Sequence, residues 1–182
     1  MLKLIIPIFL TLVSAKESPM VQKESAIVAG GCFWGVEEIF RKLPGVIEST
    51  VGYTGGSIEN PTYELVKTGA TGHAEAIEVV FDAKKISYEQ ILHYFFRLHD
   101  PTQLNRQEND IGTQYRSAIF YLNDNQKAIA EKVKKEGDES KKWKKPVVTQ
   151  IVKATKFYKA EDYHQDYLKK NPAGYNCHYL RD

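Results

Sequence analysis

Ala26-Ile27-Val28-Ala29-Gly30-Gly31-Cys32-Phe33-Trp34-Gly35 is the stretch from which the fold of this 182-residue chain is read. A short apolar run ends in two glycines. A cysteine and two aromatics follow, and then Val36, Ile39, Phe40 and Leu43 recur at helical spacing. The pattern predicts a strand, a tight turn and a helix, with Cys32 at the helix N-terminus. Free backbone N–H groups and the positive end of the helix dipole stand there. Both favour a thiolate over a thiol, and the thiolate is the nucleophile. Glycines allow close approach of backbone and substrate to the sulfur. Phe33 and Trp34 are placed to wall an apolar pocket beside it. A lone Cys in an apolar run is ordinarily a buried small hydrophobe, and Phe and Trp are ordinarily core. The glycine pair points towards function, because packing alone needs no Gly-Gly at a strand–helix junction.

Outward from this unit, Pro44-Gly45 stops the helix. Residues 46–53 read as a strand with Ile47, Ser49, Val51 and Tyr53 on one face. After the Thr54-Gly55-Gly56 turn, Asn60-Pro61 opens a short helix over 62–67, ended by Gly69. Alternation over 71–82 predicts a strand that puts His73, Glu75, Ile77, Val79 and Phe81 on one face. Beyond Glu75 that face is apolar. Either Glu75 points inward, where desolvation raises its pKa and makes it a general acid, or it lies solvated at the strand's start; the pattern leaves both open. His73 reads as a structural hydrogen-bonder.

Ser87 and Gln90 form a capping box for a helix that buries Tyr88, Ile91, Leu92 and Phe95 and ends before Asp100-Pro101. Residues 100–113 form a long polar loop that carries Asp110. Residues 114–122 read as a strand with Tyr115, Ser117, Ile119 and Tyr121 on one face. Asn123 and Asp124 cap a helix to about Lys135, with Gly137 ending it. A strand is expected over 147–153, and a helix over 161–170 with acids first and lysines last. His93, His99 and His164 are expected at helix surfaces or ends. The order strand, helix, strand, strand, helix, strand is that of an α+β, ferredoxin-like split β-α-β sandwich. An added strand, an added helix and a mobile C-terminal tail extend it.

Composition sets the bounds. The chain is 42% apolar and 26% charged, with a formal net charge of +2. That fits one globular domain and implies no nucleic acid. Residues 1–15 read as a secretory signal: Lys3, an apolar core over 4–13 and Val13-Ser14-Ala15 as the cleavage site. The run is shorter than the ~20 residues of a membrane span. The layout is thus a signal at 1–15, a polar leader at 16–24, a folded domain at 25–172 and a tail at 173–182, in a chain exported to the periplasm or cell exterior. Its two cysteines, Cys32 and Cys177, are then a candidate disulfide, structural or catalytic. No spacing reads as a zinc site or a nucleotide loop, so no metal and no cofactor is expected. Lys141, Lys142, Lys144 and Lys145 around Trp143 read as a solvated face rather than a docking patch for an acidic partner.

Six blocks carry a resemblance: Gly30-Gly31-Cys32-Phe33-Trp34-Gly35, Gly52-Tyr53-Thr54-Gly55-Gly56, Asn60-Pro61-Thr62-Tyr63, Gly72-His73-Ala74-Glu75, His99-Asp100-Pro101-Thr102-Gln103, and Asn109-Asp110 with Gly112-Thr113-Gln114-Tyr115-Arg116-Ser117. In this order they closely resemble the A-type peptide-methionine sulfoxide reductases, densely over about 26–122 and more weakly to about 172. The resemblance implies reduction of the S epimer of methionine sulfoxide, free or in proteins, to methionine. It implies that Cys32 is the nucleophile and that Phe33 and Trp34 line the methyl pocket. Glu75 is then the acid that protonates the sulfoxide oxygen. Tyr63 and Tyr115 are the phenols that bind this oxygen, and Asp110 is a polar residue of the pocket floor. The Cys32 sulfenic acid is then resolved by Cys177, and the disulfide is reduced by a thioredoxin-like dithiol. Some members carry two resolving cysteines where this chain has one candidate. A monomer is expected.

Three other readings share some of these residues. A peroxide-reducing thiol enzyme uses both cysteines but not two aromatics beside an acid and two phenols. A secreted peptide-binding module with a structural Cys32–Cys177 disulfide predicts destabilisation on reduction. A Cys–His hydrolase would draw on His73 or His178.

Overall fold

The computed structural model describes residues 20–181. The signal assigned to 1–15 lies outside them, as do leader residues 16–19. The apolar run before the glycines forms β1 (Lys23–Gly30), buried from Ala26 onward. Lys23 and Glu24 already pair with Asp82 and Phe81, so the strand begins inside the expected leader. There follow α1 (Phe33–Phe40), β2 (Val46–Thr54), α2 (Tyr63–Val66), β3 (Ala74–Asp82) and α3 (Tyr88–Leu98). The capping box is formed: Ser87 Oγ accepts from the Gln90 N–H at 3.2 Å, and Gln90 Oε1 accepts from the Ser87 N–H at 2.9 Å. A two-stranded hairpin of β4 (Arg106–Gln107) and β5 (Asp110–Ile111) leads through a 3-10 turn, Thr113–Tyr115, to β6 (Ser117–Tyr121). Last come α4 (Asp124–Glu139), β7 (Gln150–Lys153), β8 (Tyr158–Lys159) and α5 (Tyr167–Lys170).

Six strands make one mixed sheet in the order β7-β6-β1-β3-β2-β8. Among the described residues only the β6–β7 pairing is parallel. One face carries Ala26, Val28, Ile77, Val79 and Phe81 against Val36 and Phe40 of α1 and Ile91, Leu92 and Phe95 of α3. The opposite face carries Ile27, Ala29, Ala74, Ala76, Ala118 and Phe120 under Ala154 and Phe157. The small alanines suit that thin cover, since interiors are close-packed. The architecture places Cys32 at the β1–α1 junction and Glu75 on the neighbouring central strand.

Several expectations need correction. A bulge between Val46 and Glu48 turns Ile47 outward, 45% exposed. Tyr115 is not on a strand: Gly112 turns the chain at φ 144°, and the Tyr115 N–H bonds the Gly112 carbonyl instead of a ladder partner. Gly137 does not end α4, which runs to Glu139. Burial of Ala130 and Val133 offsets the ~1 kcal/mol that glycine costs in a helix. Residues 147–149 precede the ladder; the Val148 N–H goes to the Pro101 carbonyl.

The helix expected over 161–170 survives only as α5. The Asp166 N–H donates to Glu37 Oε2 at 2.8 Å with φ at 53°, and the Gln165 amide pairs with both backbone groups of Val51. Those long-range bonds displace helical ones. The expected mobile tail is seen packed on the domain: the Arg181 N–H donates to the Arg97 carbonyl, and His178 Nε2 lies 2.7 Å from the Gly30 carbonyl. His99 stands at a helix end as expected, the C-cap of α3, but it is buried, and His164 is buried too, each only 1% exposed. His99 lies between the Phe95 carbonyl and Ser117 Oγ, and burial drives its pKa down to about 3.

Candidate active site

Cys32 occupies the position before the first residue of α1, with no side-chain cap bond. The expected low thiol pKa is not the resting state. Burial raises the Cys32 thiol well above its ordinary value, and the carboxyls of Glu75 and Asp110 and the Cys177 thiol raise it further. The Trp34 backbone N–H acts the other way. Desolvation outweighs one helix-start N–H because the sulfur is nearly sealed, 7% exposed.

The two readings of Glu75 are separated by its surroundings. Its side chain is inside, 2% exposed, and Oε2 accepts from the Phe33 backbone N–H at 3.1 Å. Burial pushes its pKa up to about 8, against the pull of that N–H, with Asp110 raising it further. It is therefore mostly a neutral acid at pH 7, able to donate a proton beside the thiol.

Aromatic rings wall the space around them. Phe33 lies 5.9 Å from the Tyr53 ring and 5.0 Å from that of His164, centre to centre. Trp34 stacks on Tyr167 at 3.8 Å, and its indole N–H donates to His164 Nδ1 at 3.0 Å. Tyr63 stands 4.6 Å from His164. Burial first, then Glu75 and Cys32, raises the Tyr63 phenol, and burial with the Glu75 charge raises that of Tyr115. Both thus remain protonated donors, close enough to feel the carboxyl and the thiol.

Two residues of this wall escaped the sequence reading. Glu161 accepts from the Tyr63 N–H at 2.9 Å and from the Tyr53 hydroxyl at 2.8 Å, fixing the start of α2 against β2. His164 accepts the Trp34 indole N–H, so its own proton sits on Nε2, which is buried with no hydrogen-bond partner among the described residues. Glu161 Oε2 stands 3.8 Å from it. The density of Tyr158, Tyr163, His164 and Tyr167 was the available signal, masked by the acid-to-lysine gradient that read as a helix.

Asp110 and Cys177 meet on the far side. Asp110 Oδ2 accepts from the Tyr175 hydroxyl at 3.1 Å and from Cys177 Sγ at 3.3 Å. Burial and that carboxylate push the Cys177 thiol up to about 12. Both thiols are free. The structure thus brings together Cys32, Phe33, Trp34, Tyr63, Glu75, Asp110, Tyr115 and Cys177, all eight residues singled out in the sequence. His73, as expected, is structural, bonded to the Ile58 carbonyl and the Gly56 N–H.

Other features lie apart from this cluster. A cleft of about 730 Å³ runs between residues 100–108 and Lys142–Lys145. Glu89, His93 and Glu136 bring ligand atoms within 4.8 Å of one another on the outer α3–α4 face, but the Lys132 ammonium already sits 2.7 Å from Glu89.

Comparison with known proteins agrees with this chemistry. A family model described as peptide methionine sulfoxide reductase matches residues 24–182. The chain is 49% identical over 162 residues to the peptide methionine sulfoxide reductase MsrA of Nocardia farcinica, covering 89% of this chain and 93% of that one. Its fold is similar to the reduced form of Mxr1 from Saccharomyces cerevisiae, with TM-score 0.84 and 38% identity over 94% of this chain and 100% of the other. It is also similar to Mxr1 in complex with Trx2, with TM-score 0.61 and 27% identity over 93% and 97% of the two chains. With a family model matched over residues 24–182 and a relative 49% identical over nearly its whole length, the chain belongs to the peptide methionine sulfoxide reductases.

Proposed function

We propose that the chain reduces the S epimer of methionine sulfoxide, free or in proteins, to methionine, and that a thioredoxin-like dithiol recycles it. The observation that carries this reading is the buried, mostly neutral Glu75 carboxyl held against the start of α1 beside Cys32. A sulfoxide sulfur is a poor electrophile until its oxygen is protonated or strongly hydrogen-bonded. Glu75 donates the proton, and the Tyr63 and Tyr115 hydroxyls bind the oxygen as charge develops on it. Phe33 and Trp34 hold the methyl group, and Asp110 polarises the pocket floor. Cys32 attacks the sulfur. Methionine leaves, the oxygen stays on Cys32 as a sulfenic acid, and the Cys177 thiol displaces it as water to close a Cys32–Cys177 disulfide.

That disulfide is the substrate of the dithiol, by exchange. The solved complex of Mxr1 with Trx2, a similar chain, supports this partner. The β6-β1-β3-β2 order supports a ferredoxin-like description of the core, within a catalytic domain over 25–172. The first fifteen residues support export of the enzyme; a mature N-terminus at Lys16, found by mass spectrometry of secreted protein, tests that.

A single-turnover assay without reductant tests the activity. Reduced protein is mixed with the S or the R epimer, and methionine formed and thiols lost are counted. One methionine per enzyme from the S epimer, with both thiols consumed, is expected. No methionine from either epimer overturns the reading and favours the binding module.

A further inference from the structure

The glycines around Cys32 open onto the tail. A side chain on Gly31, at φ 102°, would put its Cβ 3.0 Å from His178 Nε2 and 2.7 Å from Gln107. One on Gly35 would put its Cβ 2.5 Å from His178 Nδ1 and from Asn176 Oδ1. The missing side chains on both sides of Cys32 are the seat of the His178 ring. Asn176 Oδ1 accepts from the His178 N–H at 2.9 Å and shapes the turn that seats it.

The seat decides the tautomer. His178 Nε2 lies 2.7 Å from the Gly30 carbonyl, which can only accept, so the proton is on Nε2. Nδ1 then carries a lone pair, and it lies 3.3 Å from Cys177 Sγ. Burial holds the ring neutral, with its pKa down at about 4. Cys177 has a second acceptor in Asp110 Oδ2, but that carboxylate already takes the Tyr175 hydroxyl, and its negative charge opposes a thiolate. A neutral nitrogen that becomes positive as the sulfur becomes negative does the reverse.

We infer that His178 is the general base of the resolving step, taking the Cys177 proton on Nδ1 as Cys177 attacks the Cys32 sulfenic acid. This rests on the function proposed above. The Cys177 S–H bond breaks and the Cys32–Cys177 S–S bond forms. The Cys32 S–O bond breaks, and the leaving hydroxide takes the proton back from the imidazolium as water. The sulfenic sulfur is reduced and the thiol sulfur oxidised, with no external oxidant or reductant. Proton transfer concerted with S–S bond formation avoids a free thiolate in a site that raises the Cys177 pKa.

The test separates the two chemical steps. Reduced wild type, His178→Gln and His178→Ala are mixed with the S epimer without reductant and quenched rapidly. Methionine is counted, Cys32 sulfenic acid is trapped with dimedone, and disulfide is scored by mass. Both variants should release methionine near the wild-type rate but form disulfide about 10²-fold or more slowly, the range of general-base effects, with sulfenic acid accumulating. Imidazole added to His178→Ala should restore disulfide formation, and more basic imidazoles should restore it faster. Disulfide formation within threefold of wild type in His178→Gln overturns the inference. So does slow formation that no imidazole restores, since the ring then only packs the tail. Failure of the wild type to release methionine instead sinks the proposed function itself.

Discussion

The backbone N–H of Phe33, one residue beyond Cys32, donates to Oε2 of Glu75 on the central strand at 3.1 Å. One bond joins the nucleophile's helix to the acid's strand. It also fixes which carboxyl oxygen stays available, because Oε2 is taken as an acceptor. Chemistry and pH-dependent stability therefore meet in the same group.

Glu75→Gln keeps an oxygen to accept the Phe33 N–H and removes the acid. Methionine release in a single turnover should fall by about 10²-fold or more, while substrate affinity stays near the wild-type value. An unchanged single-turnover rate would show that Glu75 is not the proton donor.

The same substitution should change how stability depends on pH. The folded pKa of about 8 stands above the ordinary 4.5. The unfolded chain thus loses this proton first, and the contribution is full below about pH 4.5 and lost as pH rises towards 8. Glu75→Gln should flatten that slope and be the more stable form at pH 8 by an amount on the order of a few kcal/mol. Urea titrations at pH 5 and pH 8 measure it, and parallel slopes in the two proteins would contradict it.

Cys32→Ser should form no methionine at all. Cys177→Ser should form one methionine per enzyme and then stall with thioredoxin as reductant. Multiple turnovers of Cys177→Ser with thioredoxin would mean that the Cys32 sulfenic acid is reduced directly.

Gly35→Ala sets two effects against each other. Alanine in a helix is worth about 1 kcal/mol over glycine, but here its Cβ would sit 2.5 Å from His178 Nδ1 and Asn176 Oδ1. The tail should be displaced: the first methionine is released normally, and thioredoxin-dependent turnover drops at least about tenfold, as a loss of pre-positioning. Normal recycling in this variant would show that the tail need not be seated there.

Both thiols are free while the sheet and its two cores are fully formed. Reduction should therefore leave the melting temperature within a few degrees of that of the oxidised protein. A structural bridge would instead give about 2–5 kcal/mol of loss on reduction, measurable by calorimetry with and without a dithiol.

Local patterns made β1, α1, β3 and α3 legible, because periodicity and capping depend on near neighbours in the chain. They placed Cys32 at a helix start with Phe33 and Trp34 beside it and left Glu75 open between inside and solvent; Tyr63, Tyr115, Asp110 and the resolving role of Cys177 came from the family resemblance. They failed at 161–166, where Glu37 and Val51, far away in sequence, take the hydrogen bonds that a helix would use. They failed at Tyr115 as well, where Gly112 replaces ladder pairing with a 3-10 turn.

The sequence by itself determined the order of the main elements, the cysteine at its strand–helix junction and the residue types that make a thiol site with a neighbouring acid. Only the tertiary structure decided the state of those groups. Glu75 is a neutral acid and Cys32 a resting thiol because desolvation outweighs the N–H groups that face them. Gly31 and Gly35 serve the tail because His178 fills the volume their side chains would need. Burial and long-range contact are properties of the packed chain, and no local pattern carries them.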